Sequence, residues 1–212
     1  MIVLALDTCL AACSAAIVDG GRVLASLCEP MTRGHQERLA PMARDLAAGA
    51  GVAFKDLDRI AVTVGPGSFT GLRVGLAFAK GLALALDRPC VGIGTLEALA
   101  ASAPARGYVA AVIDAGRGQI YLQIFEGGAA VTAPDILPLE TAAARLAELQ
   151  GGGQISLVGP GAALLGGVIA GARQADLAAP LPEAIARLAL AAPLAPPRPL
   201  YLRAPDAKPK AR

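Results

Sequence analysis

The stretch IAVTVGPGSFTGLRVGLAFAKGLALAL (residues 60–86) joins a buried strand to a buried helix through a glycine-rich turn. Residues 60–64 form a short apolar run, which predicts a strand, and residues 72–86 are apolar almost all round, which predicts a helix buried on several sides. A phosphate loop would lie between such elements, but the glycine spacing fits neither a P-loop nor a dinucleotide fingerprint. Gly71 and Gly75 share one helix face, so we predict that they let another helix approach closely.

A strand that ends in aspartate occurs once in each half of the chain. Residues 2–6 run into Asp7 and Thr8, and the strand predicted at residues 108–113 runs into Asp114 and a tight turn. With helices predicted between the strands, this repeat favours an α/β fold in which a mixed sheet with packed helices is built twice. Two facing turns of this kind can hold nucleotide phosphates and a metal. The alternative is that both aspartates only cap their own turns.

The composition indicates a globular chain with a large core. Of the 212 residues, 55% are hydrophobic and 17% are charged, which argues against intrinsic disorder and allows one large domain or two small ones. Lys80 interrupts the longest apolar run, so we expect no membrane span, and the N-terminus lacks the basic start of a signal peptide. We therefore expect a soluble cytoplasmic protein whose four cysteines are small buried thiols.

Histidine is scarce, because His35 is the only one in the sequence. A metal site built on two imidazoles is therefore excluded within this chain. Any Ser-His-Asp triad or Cys-His dyad would have to use His35. His35 begins an amphipathic helix predicted at residues 35–50 and has no obvious nucleophile beside it in the sequence. We predict no catalytic residue and no metal ligand, which favours a binding or scaffold role.

The C-terminal end of the chain is basic and contains several prolines. Residues 198–212 hold five basic side chains and one acidic one. Such a tail can contact RNA, here through Lys208, Lys210 and Arg212, but most such tails are solvated ends. The rest of the chain has no basic stripe with interleaved aromatic residues, so the sequence does not indicate a stand-alone RNA-binding module.

Five segments, in this order along the chain, resemble the bacterial TsaB (YeaZ) family: ALDT (5–8), HQERL (35–39), GPGSFTGLRVG (65–75), DAGRGQIY (114–121) and PLYLR (199–203). The resemblance covers essentially the whole chain. It implies the duplicated RNase H-like fold of actin, Hsp70 and sugar kinases, an α/β fold of mixed sheets with flanking helices. The implied division is an N-terminal lobe with the partner-binding helices (1–104), a C-terminal lobe (105–198) and a basic tail that returns to the first lobe (199–212).

The resemblance also implies a function. TsaB-like proteins are non-catalytic scaffold or activating subunits of the complex that installs N6-threonylcarbamoyladenosine at position 37 of tRNAs reading codons that begin with A. They form a heterodimer with the catalytic subunit TsaD, the ATPase TsaE joins in a ternary complex, and tRNA is bound through the complex. A homodimer of the isolated chain is compatible with this role. The alternative is a self-sufficient enzyme of the same superfold, either an ATP-dependent small-molecule kinase or an M22-type peptidase.

The resemblance assigns candidate site residues. The catalytic paralogue has a His-x-x-x-His metal motif, whereas here His35 is followed four residues later by Leu39, so no metal is expected. Asp7, Thr8 and Asp114 would form a vestigial nucleotide site of weak affinity, with no other cofactor. The implied partner surface lies on the helices at 35–50 and 72–86, for which we name His35, Leu39, Met42, Leu46, Leu72, Leu76 and Ala79.

Overall fold

The computed structural model describes residues 1–103, 107–149 and 153–203. The first sheet consists of β1 (Ile2–Asp7), β2 (Ala12–Asp19), β3 (Arg22–Pro30), β4 (Arg59–Thr63) and β5 (Cys90–Ile93). The order of these strands is β3-β2-β1-β4-β5, and β1 pairs antiparallel with β2 and parallel with β4. The helices of this half of the chain are α1 (His35–Ala50), α2 (Phe69–Leu86) and α3 (Thr95–Ser102).

The second sheet repeats this plan. Its strands are β6 (Tyr108–Gly116), β7 (Gln119–Glu126), β8 (Ala129–Ala130), β9 (Asp135–Pro138), β10 (Ile155–Val158) and β11 (Arg173–Ala175). The order is β11-β10-β6-β7-β8, with β9 also paired to β7. As in the first sheet, the first strand pairs antiparallel with the next strand and parallel with a later one. The predicted mixed sheet, built twice, is confirmed.

The remaining helices are α4 (Leu139–Leu149), α5 (Ala162–Gly166) and α6 (Pro182–Ala191). Helix α6 packs on β1 and β2 of the first sheet, although it follows the second sheet in sequence. The Nη1 atom of the buried Arg59 donates to the carbonyl oxygens of Ala189 and Ala192 at the end of α6. The boundaries implied for a C-terminal lobe (105–198) therefore do not follow the packing, because hydrophobic burial places α6 with the first lobe.

Residues 199–203 cross from one lobe to the other. The amide of Leu200 donates to the carbonyl oxygen of Val64, 2.7 Å away, and the Tyr201 ring lies 5.6 Å from the Phe69 ring. Arg203 then donates to the second lobe, to the Ala115 carbonyl oxygen and to Oε1 of Gln119, at 2.7 Å each. The rest of the basic tail, with Lys208, Lys210 and Arg212, lies outside the described residues.

Helices α1 and α2 lie side by side on one face of the first sheet and enclose the core of the first lobe. Helix α1 ends at Gly51, whose positive φ of 66° suits glycine, and its amide donates to the Ala48 carbonyl oxygen. Helix α2 begins after Ser68, whose Oγ accepts from the Gly71 amide. By length and composition alone α2 is apolar enough to cross a membrane, yet one face of it is buried against the sheet as in a core helix.

The glycines at the start of α2 press against the turn that follows β1. A Cβ atom on Gly71 would overlap the Thr8 carbonyl oxygen, and one on Gly75 would lie 2.6 Å from Oγ1 of Thr8. Thr8 Oγ1 donates to the Gly71 carbonyl oxygen at 2.7 Å, and the Ser68 amide donates to the Cys9 carbonyl oxygen at 2.7 Å. The predicted close approach at these glycines exists, but its partner is the β1–β2 turn and not a helix.

This contact predicts opposite effects for two Gly→Ala substitutions in the same helix. Gly71→Ala should lower the free energy of unfolding by about 1–3 kcal/mol or more, since the new methyl group overlaps backbone atoms that cannot move aside. Gly81→Ala has open space around its Cβ position and should raise that free energy by about 0.5–1 kcal/mol. Urea unfolding of both variants tests this, and equal effects at the two positions would contradict the assigned contact.

Candidate functional site

Asp7, at the end of β1, is completely buried. Its Oδ1 atom accepts hydrogen bonds from the Cys9 amide at 3.1 Å and from the Thr63 hydroxyl, while Oδ2 has no hydrogen-bond partner. Burial raises the pKa of this carboxyl group above its usual range, although the bonds from Thr63 and Cys9 act in the other direction. The carboxylate is thus held inside the first lobe.

The neighbouring Thr8 is equally inaccessible. Only 1% of its surface is exposed, and its hydroxyl group is used in the bond to the Gly71 carbonyl oxygen. The structure therefore corrects the expectation that Asp7 and Thr8 take part in a nucleotide site, because the start of α2 covers the turn that would have to face the phosphates. Sequence spacing indicated the turn but not what lies on top of it.

Asp114, in the second lobe, has a different environment. Its side chain is exposed at the end of β6, and its Oδ1 atom accepts from the Gly116 amide at 2.7 Å. The turn continues with positive φ angles of 70° at Gly116, 58° at Arg117 and 71° at Gly118. Asp114 therefore caps its own turn, as the simpler sequence interpretation held.

The space between the lobes is a cavity of about 470 Å³. Cys9, His35 and Ser68 line it from the first lobe, Asp114 lines it from the second, and Arg203 lines it from the crossing segment. His35 is only 9% exposed, and its Nε2 atom has no hydrogen-bond partner. The structure thus brings His35 and Asp114 to one cavity while Asp7 and Thr8 stay outside its lining. Arg203 is a cavity residue that the sequence interpretation missed, although its PLYLR segment had been noticed.

Within the described ranges, no group of three or more histidine, cysteine, aspartate or glutamate side chains could hold a metal ion. The thiols offer little reactivity, because burial raises the pKa of Cys9 to about 12 and the pKa of Cys13 and Cys90 to about 11. Cys28 is exposed, contrary to the expectation that all four thiols are buried.

Most of the residues named as a partner surface lie in the core. This corrects the expectation for Leu39, Met42, Leu72, Leu76 and Ala79, whose exposed fractions are 0–6% because they pack between the helices and the first sheet. His35 faces the cavity, and Leu46 is half-buried.

The exposed face of α2 carries other apolar residues. Leu84 is 85% exposed, and the neighbouring positions Ala77, Gly81 and Ala85 are exposed as well. Arg73 and Lys80 lie on the same exposed face, so their charges are a sequence signal that separates it from the face turned to the core. A second signal was present, because Gly71 and Gly75 mark the side of the helix that comes close to backbone.

Comparison with known protein sequences identifies relatives. The family model for TsaD, tRNA N6-adenosine threonylcarbamoyltransferase, matches residues 27–200 of the chain. The tRNA threonylcarbamoyladenosine biosynthesis protein TsaB of Escherichia coli (strain K12) is 40% identical over 124 residues, which are 57% of this chain and 53% of that protein. The TsaB of Bacillus subtilis (strain 168) is 35% identical over 127 residues, 59% of this chain and 56% of that protein. These alignments span about half the length of the curated relatives.

Comparison with solved structures covers nearly the whole chain. YeaZ from Pseudomonas aeruginosa superposes with a TM-score of 0.82 at 33% identity, over 95% of this chain and 99% of that one. The activator of the 2-hydroxyisocaproyl-CoA dehydratase from Clostridium difficile, with bound ADPNP, superposes with a TM-score of 0.51 at 12% identity, over 87% of this chain and 91% of that one. The second likeness concerns the fold alone, and it agrees with the duplicated RNase H-like class.

Burial of Asp7 predicts a pH effect on stability. Because the pKa of Asp7 is raised above the 3.8 usual for aspartate, the folded protein holds this proton more tightly than the unfolded chain does. The protonated Asp7 side chain therefore contributes fully to the free energy of unfolding at low pH. This contribution is lost as the pH rises from the pKa of Asp7 in the unfolded chain through its higher pKa in the folded protein. Asp7→Asn keeps an oxygen that can accept from Cys9 and Thr63 but has no proton to lose. The variant should therefore lose less stability than the wild type between these two pKa values.

Urea unfolding at a series of pH values measures this effect. Asp56→Asn, at an exposed position, is the matched control and should follow the wild type. If Asp7→Asn showed the same loss of stability with rising pH as the wild type, the raised pKa of Asp7 would be refuted.

Proposed function

Because the chain belongs to the TsaB (YeaZ) family, we propose that it is a non-catalytic subunit of the complex that makes N6-threonylcarbamoyladenosine at position 37 of tRNAs reading codons that begin with A. The proposal that the chain is non-catalytic rests on the turn at Asp7 and Thr8, which is buried under the start of α2. A kinase of this superfold would need that turn open to the phosphates of its nucleotide. The proposed role is to bind and activate a catalytic partner, in the cytoplasm.

The catalytic partner is proposed to be TsaD, to which this chain is related through the matching family model. The exposed face of α2 supports an interface there, because Ala77, Gly81, Leu84 and Ala85 lie on it beside the basic residues Arg73 and Lys80. Small residues let a partner helix approach closely. Burial of the exposed leucine side chain against a partner would remove apolar surface from water, which favours binding. The same face would join two copies of the chain when TsaD is absent. TsaE and tRNA are proposed to bind the assembled complex, and no nucleotide cofactor is assigned to this chain alone.

Substitution of the exposed leucine tests the proposed interface. Leu84→Glu should weaken binding to TsaD by at least about tenfold, because a carboxylate would be buried without a partner. Val168→Glu is the matched control, since Val168 is an apolar residue of the second lobe that is 60% exposed, and it should bind like the wild type. Titration calorimetry with folded protein measures both, and undiminished binding of Leu84→Glu would reject this face.

Reconstitution tests the proposed function itself. Modification of tRNA by TsaD and TsaE, supplied with the activated threonylcarbamoyl donor, should depend on adding this protein, and the protein alone should modify no adenosine and turn over no ATP. Mass spectrometry of the nucleosides and a phosphate-release assay give the two readouts. Modification that proceeds equally well without the protein, or ATP turnover by the protein alone, would overturn the proposal.

A further inference from the structure

Two aromatic rings and an arginine from distant parts of the chain meet on the surface at the start of α2. The centroids of the Phe69 and Tyr201 rings lie 5.6 Å apart, and the guanidinium carbon of Arg73 lies 3.7 Å from the centroid of the Phe69 ring. The Nε atom of Arg73 also donates to the hydroxyl oxygen of Tyr201 at 3.5 Å. We call these three residues, Phe69, Arg73 and Tyr201, the aromatic-arginine patch.

The two rings of this patch remain half in water. Phe69 is 50% exposed and Tyr201 is 48% exposed, in a chain that has only four phenylalanines and three tyrosines. Neighbouring apolar rings that are left in contact with water are typical of a binding surface, because a partner that covers them removes apolar area from water. The contacts with Arg73 orient the rings and leave half of their surface free for a ligand.

The two segments that build the patch carry positive charge only. Residues 64–86 contain two basic side chains and residues 192–203 contain two more, and neither segment contains an aspartate or a glutamate. Arg73 and Arg198 are exposed, and neither forms an ion pair within the part of the chain that the structure describes. Their charges are therefore free to attract an anionic partner.

The combination of rings and positive charge fits single-stranded RNA. Unpaired bases stack on aromatic rings and on guanidinium planes, while nearby basic side chains contact the phosphates. A protein surface rich in carboxylates would pair with the arginines but would offer the two rings no flat apolar group. The sequence alone showed no basic stripe with interleaved aromatic residues, because Arg73 and Tyr201 are 128 positions apart and only folding brings them together.

We infer that the aromatic-arginine patch binds single-stranded RNA, with a base stacked on the exposed surface of Tyr201 or Phe69 and phosphates close to Arg73 and Arg198. The inference deepens the proposed function and rests on it for the choice of RNA, since tRNA is the substrate of the proposed complex. Phe69 precedes Leu84 by 15 residues of the same helix, which is roughly 22 Å along its axis. RNA can therefore occupy the patch while TsaD covers the other end of α2.

Fluorescence anisotropy of labelled RNA tests the patch on the full chain without any partner protein. A single-stranded RNA of about twelve nucleotides should bind, and so should an unmodified tRNA that reads codons beginning with A. A duplex RNA of the same length as the single strand should bind at least about fivefold more weakly, because its bases are paired and cannot stack on the rings.

Two substitutions of Tyr201 separate stacking from charge. Tyr201→Ala should weaken the binding of the single strand by roughly tenfold, because one base loses its stacking partner. Tyr201→Phe keeps the ring and loses only the hydroxyl group that accepts from Arg73, so it should bind within about twofold of the wild type.

A pair of arginine variants tests the charge of the patch. Arg73→Gln should lower the slope of the logarithm of the binding constant against the logarithm of salt concentration by about 0.7, because one phosphate contact to a single strand is lost. Arg173→Gln is the matched control, since Arg173 is an exposed arginine of β11 at the edge of the second sheet. It should keep the affinity and the salt slope of the wild type.

Four results would overturn the inference. These are equal affinity of the wild type for single-stranded and duplex RNA, undiminished binding by Tyr201→Ala, equal losses in Arg73→Gln and Arg173→Gln, and a Tyr201→Ala variant that loses affinity for TsaD but not for RNA. The proposed function fails by a different result, because tRNA modification that proceeds without this chain leaves the measured affinity of the chain for RNA unchanged.

Discussion

The contact between the glycine-rich start of α2 and the turn after β1 is the constraint on which the rest of the first lobe depends. Backbone meets backbone there, because Gly67 and Gly71 have no side chain to keep Thr8 and Cys9 away. The Thr8 hydroxyl and the Ser68 amide then form hydrogen bonds across the contact. This arrangement buries Asp7, fixes the rotation of α2 about its axis and leaves the face with Leu84 outside.

Both copies of the repeated fold have a glycine pressed against the end of their first strand, since a Cβ on Gly161, before α5, would lie 2.9 Å from the Asp114 amide nitrogen. The copies differ in how far the turn after that strand is covered. In the first lobe the turn after the first strand is covered, and the carboxylate of Asp7 is enclosed. In the second lobe the corresponding turn remains open, with Asp114 exposed and bonded to the Gly116 amide. A duplicated fold that binds phosphates between two turns needs both of them, so this asymmetry supports a binding role for the chain.

The C-terminal part of the chain connects the lobes. Helix α6 returns to the first sheet, where Arg59 binds carbonyl oxygens at its end. Beyond it, Leu200 is bonded to the first lobe and Arg203 to the second. The cavity between the lobes is therefore lined in part by Arg203, which lies 168 positions after His35 in the sequence. No local sequence pattern connects the two residues, which is why sequence reasoning did not find Arg203.

The sequence by itself determined the elements and their repetition. The strand, glycine turn and helix of residues 60–86, the two strands ending in Asp7 and Asp114, and the single histidine could all be read from local patterns. Tertiary structure alone decided what the buried side of α2 contacts and whether Asp7 is accessible. The sequence places Arg73 and Lys80 on one side of α2, but only the folded chain brings Gly71 so close to the Thr8 backbone that a side chain there would overlap it.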